Sequence, residues 1–190
     1  QPSVRGQDVE AEITISLEEA VRGTSRRLSL QVGERRPDGS IRPTTKTYNV
    51  KIPEGTVDGA RIRLEGQGGQ GAGGGQPGDL YLKVNIAPHP QFRIKGRDLE
   101  TDLPVLPWEA ALGSKVSVPT LDGSATLTLP AGTQSGQRMR LRGKGFPGRG
   151  GRKAGDLFAV VKIVVPKKLT KREKELFEEL SQVSSYHPRS

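Results

Sequence analysis

The chain has 190 residues, of which 32% are hydrophobic and 4% aromatic, so one large dense core is excluded and two modest ones are expected. It has no cysteine, which excludes disulfides, thiolate zinc sites and cysteine nucleophiles together and fits a reducing, cytoplasmic setting. The formal charge of +9 favours acidic partners such as nucleic acid, an anionic membrane or an acidic peptide. The longest nearly apolar stretch, Leu157 to Val165, is broken by Lys162 and falls short of the ~20 residues that cross a bilayer, so no membrane partner is expected. No signal peptide is read, and a chain that starts at Gln1 is expected to be a piece of a longer protein.

Alternation marks the elements in chain order. Val9, Ala11, Ile13 and Ile15 share one face of a strand, and a single helical turn follows around Leu17–Val21. Leu28, Leu30 and Val32 form a second strand face, and Tyr48, Val50 and Ile52 a third, with Asp38-Gly39 as a turn between them. Arg61-Ile62-Arg63-Leu64 alternates with the arginines outward, and Leu80, Leu82, Val84 and Ile86 line another strand. A second helical turn is expected over Pro107–Leu112. Val116 and Val118, Leu127 and Leu129, then Met139 and Leu141 repeat the strand pattern, with Asp122-Gly123 as a turn. Thr170 to Glu173 spells a capping box, and Leu176, Phe177, Leu180 and Val183 follow as one helical stripe. That stripe packs either on the preceding domain or on the same helix of another chain.

The middle of the chain says one thing twice. PEGTVDGARIRLEGQG begins at Pro53 and PAGTQSGQRMRLRGKG at Pro130, an offset of 77 residues. Over Ile52–Gly68 against Leu129–Gly145, nine of seventeen positions are identical, and Gly78-Asp79-Leu80 falls on Gly155-Asp156-Leu157 without a gap. Upstream, Glu19-Ala20 with Gly23 echoes Glu109-Ala110 with Gly113 at an offset of 90, so the first copy holds 13 more residues between the two landmarks. A period near 80 is too long for a solenoid. The expected fold is mostly β: two tandem homologous small β-sandwich domains with a C-terminal α-helix. The expected divisions are 6–88, 89–166 and a helix and tail over 167–190.

Catalytic and cofactor motifs fail on inspection. Residues 66–71 and 143–148 both match G-x-G-x-x-G, but that motif needs a helix N-terminus after the loop to hold pyrophosphate. Here more glycine and proline follow, so both are read as flexible loops. His89, between Pro88 and Pro90, and His187, in the tail, are too isolated for a zinc site. Glu54, Asp58 and Glu65 read as solvated carboxylates, and no serine triad is suggested. No enzyme, no cofactor and no metal are expected.

PEGTVDGARIRLEGQG with GDLYLKVNIAPHPQF, then LPWEAALGSKVSVPTLDG, PAGTQSGQRMRLRGKGFPG and GDLFAVVKIVVP, resemble the two C-terminal domains of DnaJ-type co-chaperones over about Gly6 to Tyr186. The resemblance is strongest to the zinc-free branch that includes the curved-DNA-binding protein A type. Gly33–Thr47 has no Cys, so the zinc module of other members is absent. Tyr186-His187-Pro188-Arg189 has Arg where the J-domain motif has Asp, so the resemblance implies that this stretch does not itself stimulate a DnaK-type ATPase.

The resemblance implies a shallow apolar groove for unfolded client segments, lined by Ile13, Leu28 and Leu30. Read from alternation alone, the same three residues are equally well core. It further implies that Arg26 and Arg27 hold the acidic tail of a DnaK-type chaperone, and that Leu176, Phe177, Leu180 and Val183 make a homodimer. The expected function is to hold unfolded polypeptides for that chaperone. The alternative is nonspecific or curved-DNA binding, nucleoid-associated, through Arg138, Arg140, Arg142, Lys144, Arg149, Arg152 and Lys153. No interleaved aromatics and no recognition helix accompany those cations, so such binding would be largely electrostatic.

Overall fold

The computed structural model describes residues 2–190, and its strands fall into two sets that do not pair with each other. The first set is β1 (Val9–Ile15), β2 (Thr24–Arg35), β3 (Ile41–Ile52), β4 (Arg61–Leu64) and β5 (Leu80–Ile86), with α1 (Leu17–Arg22) between β1 and β2. The second is β6 (Arg93–Lys95), β7 (Asp98–Val105), β8 (Ser114–Thr120), β9 (Gly123–Leu129), β10 (Arg138–Leu141) and β11 (Leu157–Ile163), with α2 (Pro107–Leu112) between β7 and β8. The chain ends in α3 (Lys171–Val183).

Each set is a small sandwich. In the first, a sheet of order β1-β5-β4 faces the β2-β3 hairpin; in the second, a sheet of order β10-β11-β7-β6 faces the β8-β9 hairpin. β1 runs parallel to β5, and β7 parallel to β11, because a helix, a hairpin and a strand intervene in each case. The alternating apolar residues meet between the layers: Leu80, Leu82 and Val84 with Val50 and Ile52 in the first, Leu157, Ala159 and Val161 with Val118 and Leu129 in the second. Ile62 and Leu64 turn toward the core while Arg61 and Arg63 stay exposed.

The doubled sentence is a doubled set of hydrogen bonds. Pro53 and Pro130 follow the last hairpin strand, where a missing N–H ends the ladder. The Thr56 hydroxyl donates to the Pro53 carbonyl and the Thr133 hydroxyl to the Pro130 carbonyl. Gly55 N–H donates to Ala20 O at 2.9 Å, and Gly132 N–H to Ala110 O at 2.9 Å, so each turn docks on the short helix of its own repeat. Both helices are six residues long and held at their starts. Ser16 and Glu19 form a capping box on α1, and Glu109 reaches back to the Leu106 N–H on α2.

Backbone hydrogen bonds tie the two glycine loops to neighbouring segments. Gly68 N–H donates to Gly78 O and Gly69 N–H to Gln7 O; Gly145 N–H donates to Gly155 O and Phe146 N–H to Arg97 O. A Cβ on Gly68 would lie 2.6 Å from the Asp79 backbone, and one on Gly145 2.6 Å from that of Gly155, so backbone contact is what requires glycine there.

An aspartate closes each loop. Asp79, its side chain 3% exposed, accepts from Gly66 N–H at 2.8 Å and from Arg63; Asp156 accepts from Gly143 N–H at 2.9 Å and from Arg140. The Gly66 N–H, then the Arg63 guanidinium, holds the Asp79 carboxyl below its ordinary value; the Gly143 N–H, then Arg140, does the same for Asp156. A lowered folded-state value stabilises the fold above the ordinary Asp value of about 3.9, and the gain is lost as pH falls through the folded-state value. Asp79→Asn is therefore expected to lower the unfolding midpoint at neutral pH and flatten its dependence below about pH 4. Thermal unfolding across a pH series measures both, and an unchanged acid limb in the variant contradicts the latch.

Three features separate the repeats. The 13 extra residues of the first copy all lie in its hairpin, which has twelve-residue strands where the second has seven-residue ones. β6, which the alternation did not reveal, pairs with the outer edge of β7, whereas β1 has β5 as its single partner. His89 bridges the repeats: its Nδ1 accepts from the N–H groups of Gln91 and Phe92, and its Nε2 lies 2.7 Å from the Glu18 carboxylate on α1.

Candidate functional site

Ile13 sits on β1 opposite Val84, Leu28 on β2 opposite Tyr48, and Leu30 opposite Lys46. All three are half-buried against the core. β1 and β2 do not pair with each other, and each has one strand neighbour, so each carries an unpaired edge. The repeat supplies an internal control. At the offset of 90, Ile13 corresponds to Leu103 and Leu28 to Val118, which are 4% and 0% exposed. Equivalent positions are thus closed in the second repeat and partly open in the first.

Arg26 and Arg27 lie on opposite faces of β2, with Arg26 on the face of Leu28 and Leu30. Arg26 is already engaged, with Nε and Nη2 donating to the two Glu19 carboxylate oxygens at 3.0 and 3.1 Å. The Ser16 N–H, then Arg26, holds the Glu19 carboxyl below its usual value.

α3 forms as its capping box requires, with the Thr170 hydroxyl accepting from Glu173 N–H. None of its residues is buried. Phe177 is half-buried, its ring centroid 6.3 Å from that of Trp108 at the start of α2. Leu176, Leu180 and Val183 are 47%, 58% and 73% exposed. Trp108, Leu176, Phe177 and Leu180, with Glu173, line an apolar depression of about 320 Å³. Trp108 is the residue that sequence reasoning missed. As the single tryptophan of an aromatic-poor chain, in LPWEAAL, it carried a signal.

The basic residues divide into spent and unspent. Arg138 pairs with Glu100 at 3.2 Å and stacks over Phe158 at 4.3 Å; Arg140 pairs with Asp156 at 2.6 Å; Lys144 lies 3.8 Å from Asp122. Arg142, Arg152 and Lys153 are exposed without an ion pair among the described residues, and Arg149 donates to the backbone carbonyl of Glu54 in the other repeat at 3.1 Å. Among the described residues no group of three metal-ligating side chains comes together, and no helix is long and apolar enough to cross a membrane.

A family model described as the DnaJ C terminal domain matches residues 9–166. The chain belongs to the DnaJ C-terminal domain family. Its relatives include curved DNA-binding proteins from Pseudomonas syringae pv. tomato (47% identical over 190 residues, 100% of this chain and 60% of the relative) and Serratia proteamaculans (50% over 188 residues, 98% and 60%). A third, from Coxiella burnetii strain Dugway 5J108-111, is 46% identical over 188 residues, covering 97% of this chain and 58% of the relative. The chain thus spans about three fifths of the length of these relatives. The resemblance read from the doubled motif is borne out, as is the tandem β-sandwich fold. The DnaJ C-terminal domain family is a co-chaperone family rather than an enzyme class.

Proposed function

We propose that this chain is the client-binding region of a J-domain co-chaperone, holding unfolded polypeptide for a DnaK-type chaperone. What carries the reading is the contrast between half-exposed Ile13 and Leu28 and their buried counterparts Leu103 and Val118. An extended client segment adds its backbone to an unpaired edge of β1 or β2, and alternate apolar side chains enter the space lined by Ile13, Leu28 and Leu30. Few apolar contacts make the grip weak and tolerant of sequence, as a holdase requires. Arg26 lies on the groove's own face and Arg27 behind it, so an acidic partner tail contacts Arg26 by displacing Glu19. Two copies join through Leu176, Phe177, Leu180 and Val183, with Trp108 as floor. This activity suits a cytoplasmic protein. Suppression of aggregation of a denatured protein by stoichiometric chain tests it; aggregation at the rate seen without the chain rejects it.

The same reading divides the chain into a client-binding domain over 6–88, a second domain over 89–166 and a dimerisation segment over 167–190. Limited proteolysis is expected to release fragments cut near 87–90 and 166–170. First cleavage inside a β-sandwich contradicts those divisions.

A second reading is DNA binding, with nucleoid association. Its support is the net charge of +9 and the curved DNA-binding proteins among the relatives. With no recognition helix and no interleaved aromatics beside the basic residues, such binding is largely electrostatic and salt-sensitive.

A further inference from the structure

The two repeats meet along a furrow that the client-binding reading leaves unused. Two depressions of about 640 and 350 Å³ share Pro53 and Arg149 and so adjoin along it. Arg22, Thr24, Ser25 and Lys51 line the furrow from the first repeat, and Arg149 and Arg152 from the second. Of its six cations, Arg61 is neutralised by Glu10 at 2.8 Å and Arg97 donates to the Pro147 carbonyl; the other four are unspent. Arg22, Lys51, Arg149 and Arg152 are exposed, and among the described residues none has a carboxylate within ion-pair distance. The arginines of β10 differ, since Arg138 and Arg140 are already neutralised by Glu100 and Asp156. Glu54 is the one acid in the lining, and its backbone carbonyl takes the Arg149 guanidinium.

We propose that this furrow is a phosphate-backbone site that seats a DNA duplex across both repeats. The proposal rests on the DNA reading above and assigns it a place. The chemistry of the lining suits phosphates: guanidinium and ammonium groups, the Thr24 and Ser25 hydroxyls, and Gly148 and Gly150, where backbone is accessible. It suits a client peptide poorly, because no aromatic and few large apolar side chains line it. A duplex presents a charge every ~1.7 Å of axis, so cations contributed by both repeats along the furrow meet phosphates together. With its cations directed at phosphates and no recognition helix to aim them at base edges, binding is largely electrostatic.

The test compares two variants of equal charge change by fluorescence anisotropy on a labelled duplex of about 20 bp, from roughly 50 to 200 mM salt. One is Lys51→Gln with Arg149→Gln and Arg152→Gln; the other is Arg138→Gln with Arg140→Gln and Lys144→Gln, three cations already paired with acids. Thermal unfolding checks that each is folded. The furrow variant is expected to bind more weakly and to flatten the plot of log affinity against log salt by about 0.9 for each phosphate it no longer neutralises. The β10 variant is expected to keep most of the wild-type slope. Equal weakening in both variants, or greater weakening in the β10 variant, overturns the furrow while leaving DNA binding standing. No duplex binding by the wild-type chain at the lowest salt overturns the DNA reading and the furrow with it. Binding of an acidic peptide to the furrow in place of the duplex assigns the site to a protein partner and also overturns the proposal.

Discussion

Removal of residues 169–190 is expected to turn a dimer into a monomer and to weaken the hold on a long client by about 10²-fold or more. The cause is the unburied stripe of α3. Leu176, Leu180 and Val183 keep about half or more of their surface in water, although the capping box sets the helix firmly. Full burial of such side chains contributes roughly 1.5–3 kcal/mol each, and a two-fold axis applies the gain twice. Phe177 against Trp108 roots the helix on its own second repeat, so a partner helix meets a prepared apolar depression. The fall in client affinity has a separate origin. Two arms joined at one end make the second contact intramolecular, and that advantage vanishes in the monomer. Light scattering gives the mass and client titration the affinity. A monomeric intact chain, or a truncated chain that stays dimeric, contradicts the clamp.

The second large effect is expected from Leu28→Asp with Leu30→Asp, which should weaken client binding at least roughly 30-fold. Each half-buried leucine offers a client about 1 kcal/mol of apolar contact, and about 1.4 kcal/mol is a factor of ten. An aspartate adds the cost of facing apolar client side chains without a partner. Because both leucines also pack against the core, Leu28→Ala with Leu30→Ala is the milder companion. It is expected to weaken binding less while keeping the fold. Undiminished client binding by folded forms of both variants rejects the groove.

The fold was legible where one residue type alone satisfies a backbone demand. Gly68 and Gly145 touch neighbouring backbone, Thr56 and Thr133 bond back to their prolines, and Asp79 and Asp156 close their loops, so identity itself repeated at an offset of 77. The length of the first hairpin was legible as the 13-residue excess. β6 was not, because three residues are too few to show a period. Nor were the partners of the basic strand. Arg138 meets Glu100 across 38 positions, so a strand that reads as uniformly cationic is largely neutralised. Alternation put Ile13, Leu28 and Leu30 on strand faces with their apolar neighbours but is blind to which face is covered and how far. That difference emerged only against Leu103 and Val118.

The measurement that bears most directly on the central claim is an amide and methyl NMR titration of the chain with a short extended apolar peptide. Perturbations are expected to cluster on β1 and β2 and on the methyl groups of Ile13, Leu28 and Leu30, leaving Leu103 and Val118 unmoved. Perturbations centred on the second repeat, or none at concentrations that suppress aggregation, would contradict it.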